Sequence, residues 1–134
     1  MDNCIFCKII KGEIPSYKIY EDENVYAFLD ISKDFYGHTL VVTKKHYKNI
    51  LDVPEAELAC VMNALKKISN HYVNNLGFEG INTFNNNEEC SGQSVMHLHF
   101  HLIPRKSNDG AKIFTEGNKQ EIDLEEAFNI LKIN

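Results

Sequence analysis

Histidine stands at every second position of His97-Leu98-His99-Phe100-His101, the segment of this 134-residue chain with the most to offer chemically. Successive strand side chains point to opposite faces, so a strand over Val95 to Ile103 puts three imidazoles on one face and Leu98, Phe100 and Leu102 on the other. Chance alternation on a surface strand is the plain reading, but half of the chain's six histidines fall here, which weighs against it. A single metal ion shared by all three is disfavoured by distance. The outer pair on a strand lies about 13 Å apart, against metal bonds of about 2.1 Å. Nucleophilic catalysis fits better: a neutral imidazole attacks phosphorus, and the phosphoimidazolium formed is readily displaced by water, so one hard displacement becomes two easier ones. His99 is the natural nucleophile because it alone has a same-face neighbour on each side, and those flanking rings can donate hydrogen bonds to phosphoryl oxygens.

Two further groups carry chemistry. Ser91, Gly92, Gln93 and Ser94 form a small polar turn directly before the histidines, where backbone N–H groups can cradle an anion and the Ser94 hydroxyl can meet a leaving group. Cys4 and Cys7 are spaced as a knuckle that holds zinc if two more ligands arrive; a reduced, buried cysteine pair is the alternative. Cys60 falls near the apolar side of a helix and reads as packing, and Cys90 is a loop thiol with no role.

These groups need a frame, and the length suits one domain spanning residues 1–134, able to bury roughly two thirds of its unfolded surface. Composition is ordinary for a globular chain, 43% hydrophobic and 25% charged, which excludes disordered and fibrous classes. The net charge of −5 argues against a nucleic-acid polymer as partner, since phosphate neutralisation needs a basic face. No run of about 18 apolar residues is present, so no membrane helix is expected. The N-terminus lacks the pattern of a secretory signal, so the chain is read as cytoplasmic with reduced thiols.

Apolar periodicity from Cys4 to Lys11, stopped by Gly12, predicts a short helix. Tyr17 to Tyr20 and Val25 to Leu29, split by four polar residues, predict a hairpin, and Thr39 to Thr43 a third strand. From Pro54 to Leu76 the period becomes helical, with Leu58, Val61, Met62, Leu65, Ile68 and Tyr72 on one stripe, Asp52 and Pro54 as a start and Gly77 as a stop. Gly80 to Phe84 and the histidine strand follow, and Asp123 with Glu126 opens a last helix over Leu124 to Leu131. The sum is an α+β domain: a mainly antiparallel five-stranded sheet, one long helix, and short N- and C-terminal helices.

The segment GQSVMHLHFHLI resembles the signature of the histidine triad (HIT) superfamily, His-φ-His-φ-His-φ-φ with φ apolar, matching at every position. The resemblance runs from IFCKIIKGEIP through FLDISKDFYGHTLVVTKKH to LIPR and is closest to the Hint-like branch in its bacterial form. Leu98 and Phe100 exclude the His-Pro-His pattern of the uridylyltransferase branch. The resemblance implies a hydrolase or transferase of nucleotidyl groups, typically adenylyl, acting on nucleoside phosphoramidates, dinucleoside polyphosphates or related conjugates through a nucleotidyl-histidine intermediate. It implies His99 as nucleophile, His101 as phosphate partner, Ser94 at the leaving group, Gln93 in the phosphate turn, and His38 as the distant histidine orienting the nucleophile. Asp30 would take the ribose hydroxyls and Asn86 a sugar and phosphate contact, while Ile5, Phe6, Ile9, Phe28 and Ile31 would form the slot for a purine base. It further implies a structural zinc on Cys4, Cys7, His46 and His97, no metal in the chemistry, and a homodimer joined along an open sheet edge.

After Arg105 the chain departs from the eukaryotic members. It has no tryptophan, and those members use the C-terminal tail of one subunit to shape the other's substrate preference, so leaving-group specificity does not transfer. A nucleotide-binding regulatory module with incidental hydrolysis, and a metal-storage or redox protein built on the cysteine pair, are the competing readings.

Overall fold

The structure, a computed structural model, describes residues 3–114 and 116–134. Its centre is a five-stranded antiparallel sheet in the order β1-β2-β3-β5-β4. β1 (Lys18–Glu21) and β2 (Val25–Leu29) form the expected hairpin, one residue later than predicted at its first strand. Asp22 makes the turn, its Oδ1 accepting from the N–H groups of Asn24 at 2.8 Å and Val25 at 2.9 Å. Short Asp side chains favour turns because they replace backbone partners in this way. β3 (Thr39–Thr43) is buried along its whole length.

β5 spans His99–Arg105 rather than Val95–Ile103, which corrects the expected boundaries at both ends. The residues before it leave the ladder because His97 is claimed elsewhere: its Nε2 donates to the Thr43 carbonyl at 2.7 Å, and Leu98 N–H donates to Tyr47 O at 2.8 Å. At the far end β5 outruns β3, whose last partner is Leu102, so Pro104 has no ladder donor to lose on that side. The close approach there explains Gly37. It has φ +76°, and a Cβ would lie 2.6 Å from Pro104 Cγ.

One face of the sheet is covered by α2 (Glu55–Asn70), whose Val61, Ala64, Leu65 and Ile68 pack with Tyr72 against Val25, Ala27, Val41 and Leu102. Met62, assigned to the same stripe by period, is 37% exposed and lies outside the core. The helix starts at Pro54 without a side-chain cap. Asp52 caps the preceding turn instead, accepting from Lys48 and Asn49 N–H. The helix runs on into a wider π-type turn, His71–Asn75, before Gly77 at φ +82°. Ile68→Ala should cost about 2–5 kcal/mol, because the surrounding β-branched residues collapse only partly into the space. Thermal unfolding reads this out, and a loss below about 1 kcal/mol would mean that α2 is not seated as described.

The opposite face is covered in part by α1 (Ile5–Ile10), whose Phe6 and Ile9 meet Tyr26, Phe28, Leu40 and Val42. The helix ends in a Schellman pattern, with Gly12 N–H to Ile9 O at 3.0 Å and Glu13 N–H to Lys8 O at 2.9 Å. α3 (Leu124–Leu131) forms where expected, with Asp123 capping Glu125 and Glu126 N–H, but none of its residues is buried. No helix among the described residues is long and apolar enough to cross a membrane.

Candidate active site and adjoining metal-ligand cluster

His99 and His101 project from β5 onto the α1 face, opposite Val42 and Leu40 of β3. The backbone fixes the His99 tautomer. Its Nδ1 lies 2.7 Å from the His97 carbonyl oxygen, and a carbonyl only accepts, so Nδ1 carries the hydrogen and Nε2 keeps its lone pair. No buried side-chain nitrogen or oxygen among the described residues lacks a partner. The Nε2 of His99 has no protein partner there, so it opens toward solvent although the residue is 5% exposed. Burial, opposed by the His97 carbonyl and by Asp30, holds the ring below its ordinary pKa. An imidazole neutral near pH 7, with its free lone pair facing outward, is the form needed for attack.

His38, which the resemblance assigns to orienting the nucleophile, has its ring against His101. His38 Nε2 and His101 Nδ1 are 2.9 Å apart, and His38 Nδ1 lies 3.3 Å from Asp30 Oδ2. Burial, with lesser contributions from His99 and His38, pushes His101 down to about 4. Burial also lowers His38, against the opposing pull of Asp30 and Asp34. Phe84 of β4 (Gly80–Phe84) stacks on His101 with centroids 4.3 Å apart and planes at 10°, and Phe114 meets Phe84 edge-on at 6.3 Å. Neither aromatic residue had a signal in the sequence: the Phe84 contact depends on the β4–β5 register, which sets Phe84 opposite His101, and Phe114 comes from beyond the sheet.

Beside the histidines lies a cleft of about 360 Å³ lined by Ile5, Phe6, Ile9, Phe28, Ile31 and Asp30, with Leu40 and the Ile14–Tyr17 segment completing it. Phe6, Ile9 and Phe28 are buried at its floor. Ile5 at 46% and Ile31 at 90% exposure leave apolar walls facing water. Facing apolar walls above an apolar floor suit a flat ring inserted between them. Phe6 joins the cleft to His99, its ring edge-on to both Phe28 at 5.5 Å and His99 at 5.1 Å.

The turn before β5 is built on Gln93. This side chain is buried, donates to Lys48 O at 2.7 Å and Val95 O at 2.9 Å, and accepts from Glu88 N–H at 2.8 Å and Asn49 Nδ2 at 3.2 Å. Its capacity is spent inside the protein, so its side chain shapes the turn and leaves the backbone to face a ligand. Ser94 is exposed, and Asn86 is half-buried against Gly92, where a Cβ would meet Asn86 Nδ2 at 3.4 Å. Asn85, unremarked in the sequence, donates from Nδ2 to the His99 carbonyl at 2.9 Å and steadies the strand.

Cys4, Cys7, His46 and His97 bring one donor atom each within 4.8 Å of one another. Cys4 Sγ is 3.3 Å and Cys7 Sγ 3.5 Å from His97 Nδ1, and Cys7 Sγ is 3.4 Å from His46 Nδ1. The edges of a tetrahedron with metal–sulfur bonds of about 2.3 Å and metal–nitrogen bonds of about 2.1 Å are about 3.5 Å, so the spacing fits a four-coordinate ion. The His97 tautomer fits too: Nε2–H is spent on the Thr43 carbonyl, which turns the Nδ1 lone pair to the thiols, the usual outer-shell arrangement of a metal-binding histidine. His97 therefore has its ring in the cluster and its carbonyl on His99.

Burial also lowers His97, to about 4, so four imidazoles, three of them buried and that of His101 half-buried, titrate lower in the folded chain than in the unfolded one. Between those values and the unfolded value of about 6.5 the unfolded chain binds more protons, so stability rises with pH across the window and is lost as pH falls from about 6.5 toward 4. Urea midpoints of the metal-free protein should drop over that interval. A flat profile would contradict the neutral assignment.

The chain belongs to the HIT domain family, whose profile matches residues 11–108. The chain is 47% identical over 129 residues to an uncharacterized HIT-like protein of Methanocaldococcus jannaschii, covering 96% of this chain and 98% of that one. It is 41% identical over 108 residues to an adenosine 5'-monophosphoramidase of Candida albicans, covering 78% and 71%. Among solved structures, a Streptococcus mutans protein superposes with a TM-score of 0.85 at 42% identity, covering 97% of this chain and 82% of that one. A Zn-bound histidine triad family protein of Mycobacterium smegmatis gives 0.79 at 32% identity, covering 97% and 91%.

Proposed function

We propose that this chain is a nucleotide hydrolase or transferase that moves a nucleotidyl group, adenylyl in the first instance, from nucleoside phosphoramidates or related conjugates through a covalent bond to His99. The observation that carries this reading is the hydrogen bond from His99 Nδ1 to the His97 carbonyl, which leaves a neutral ring with its Nε2 lone pair in the open site.

The purine base enters the cleft between Ile5 and Ile31, and its ribose hydroxyls donate to Asp30, a carboxylate with two acceptor oxygens. The α-phosphorus then faces His99 Nε2. The Nε2 lone pair forms the new N–P bond while the bond from phosphorus to the leaving nitrogen breaks, and that nitrogen takes a proton from solvent and departs as the neutral amine beside the Ser94 hydroxyl. The positive charge on His99 is shared through Nδ1–H with the His97 carbonyl. His101 and the backbone of the turn at Gln93 hold the phosphoryl oxygens, and Asn86 adds a sugar and phosphate contact. Water next attacks phosphorus and gives up a proton to solvent, which restores the one taken by the leaving nitrogen; the N–P bond breaks, and nucleoside monophosphate leaves with His99 neutral again. Dinucleoside polyphosphates fit the same scheme with a phosphate as leaving group.

Zinc on Cys4, Cys7, His46 and His97 would supply a structural pin, tying α1 to the residues before β5, and takes no part in the transfer. The single domain acts in the cytosol as a homodimer; the uncovered apolar side chains of α3, Leu124 at 77% and Phe128 at 62% exposure, favour a second copy as cover. The test is trapping. Denaturing quench during turnover of adenosine 5'-phosphoramidate should leave an adenylyl adduct on His99. Tight nucleotide binding without any adduct would instead support a regulatory binding module.

A further inference from the structure

Asp30 touches two things at once: it lines the cleft and it faces the second histidine pair. Its Oδ1 accepts from Ser32 N–H at 3.1 Å and its Oδ2 lies 3.3 Å from His38 Nδ1. A carboxylate cannot donate, so His38 must carry its hydrogen on Nδ1 and present a lone pair at Nε2. That lone pair lies 2.9 Å from His101 Nδ1, which must therefore be the donor. The chain of donors now runs from His101 through His38 to Asp30, and every hydrogen in it is used. His101 Nε2 is left with a lone pair on the side that opens to the site, where phosphoryl oxygens, themselves acceptors, would arrive.

The other neutral arrangement would give His101 a donor at Nε2. It requires His38 to turn a bare Nδ1 toward the Asp30 carboxylate, placing two acceptors against each other. We infer that Asp30, acting through His38 as a positioning residue, leaves His101 without a donor for the substrate, so that a nucleotide phosphate binds with uptake of one proton onto His101 Nε2. This rests on the reading of the site as a nucleotide phosphate site and adds to it a proton and a place to hold it.

The groups that face this proton are few. His101 is faced by His38 from the segment before β3, by His99 on its own strand at 5.0 Å between ring centroids, and by the uncharged Phe84 from β4. His38 is faced by Asp30, Asp34 and Phe35. His101 is neutral in the free protein, and the arriving phosphate and the Asp30 charge stabilise the proton once the ligand is in place. Nucleotide affinity should therefore fall about tenfold per pH unit once the bound-state value is passed.

The probe is adenosine 5'-methylphosphonate, whose single acid group is fully ionised and contributes no proton of its own. Calorimetric titration of the full-length protein near pH 6.5, repeated in buffers of different ionisation enthalpy, counts protons taken up per ligand. The native chain should take up about one. Asp30→Asn should take up almost none, because an amide can turn its NH2 to His38 Nδ1 and so permits the second neutral arrangement. The 2',3'-dideoxy form of the probe should bind more weakly but with undiminished uptake, separating the ribose contact of Asp30 from its action through His38. Binding by the native chain without proton uptake, or equal uptake by Asp30→Asn, overturns the inference while leaving the nucleotide site standing. Failure of the probe to bind at all overturns both.

Discussion

His99→Ala should lower turnover of adenosine 5'-phosphoramidate by a factor on the order of 10⁴ or more, with the affinity for nucleoside monophosphate changed by less than about tenfold. The two halves of this expectation have different physical sources. Turnover depends on one atom, the outward Nε2 of His99: His38 Nε2 is engaged with His101 Nδ1, and the free His101 Nε2 is taken by the proton that holds the phosphoryl oxygens. Binding, in the proposed reading, depends on the cleft, whose floor of Phe6, Ile9 and Phe28 and proposed ribose acceptor Asp30 are all retained in the variant. Steady-state kinetics and equilibrium titration on the same preparation measure both. A variant that keeps even a tenth of native turnover would mean that the phosphorus is attacked directly by water.

Zinc should be the second large effect. At a free concentration about a thousand times its dissociation constant, an ion bound only by the folded chain adds about 4 kcal/mol of stability. The rise in melting temperature on adding zinc to chelator-treated protein should vanish in Cys7→Ser, which removes one corner of the tetrahedron. The binding should also tighten with pH. In the metal-free protein burial, together with the hydrogen bond that Cys7 donates to Cys4, pushes the Cys7 thiol up to about 11, so zinc must displace its proton and affinity rises at least about tenfold per pH unit through neutrality. A melting temperature indifferent to both zinc and chelator would remove the metal site while leaving the proposed His99 chemistry standing, since the proposed steps are routed through no ion.

The histidine alternation was legible because a strand repeats every two residues, so His99 and His101 share a face wherever the strand begins. Its start was not legible. Val95 to Leu98 have strand-forming residues, yet the demands of Thr43 and the two thiols on His97 outweigh that propensity. The apolar floor at Phe6, Ile9 and Phe28 looked like core in the sequence and is buried; only the exposure of Ile5 and Ile31 beside it distinguishes a slot from a core. Gln93 shows the reverse limit. A glutamine in a polar turn gives no sign that its side chain is enclosed with four partners, because those partners come from residues 48, 49, 88 and 95. Likewise the Asp30–His38–His101 sequence of contacts joins residues up to 71 positions apart, a distance over which local pattern is silent.

The slot above the buried phenylalanine has one charged lining group among the described residues, Asp30, and the Ser16 hydroxyl at its border is paired with the Tyr26 hydroxyl at 2.9 Å. Such a surface recognises thickness and flatness rather than the pattern of ring substituents, and hydrophobic walls separate near-isosteres by no more than about 10–200-fold. Adenine and guanine conjugates should therefore be handled at similar rates, making the molecule a generalist toward the heterocycle whose discrimination falls on whatever is attached beyond the phosphorus.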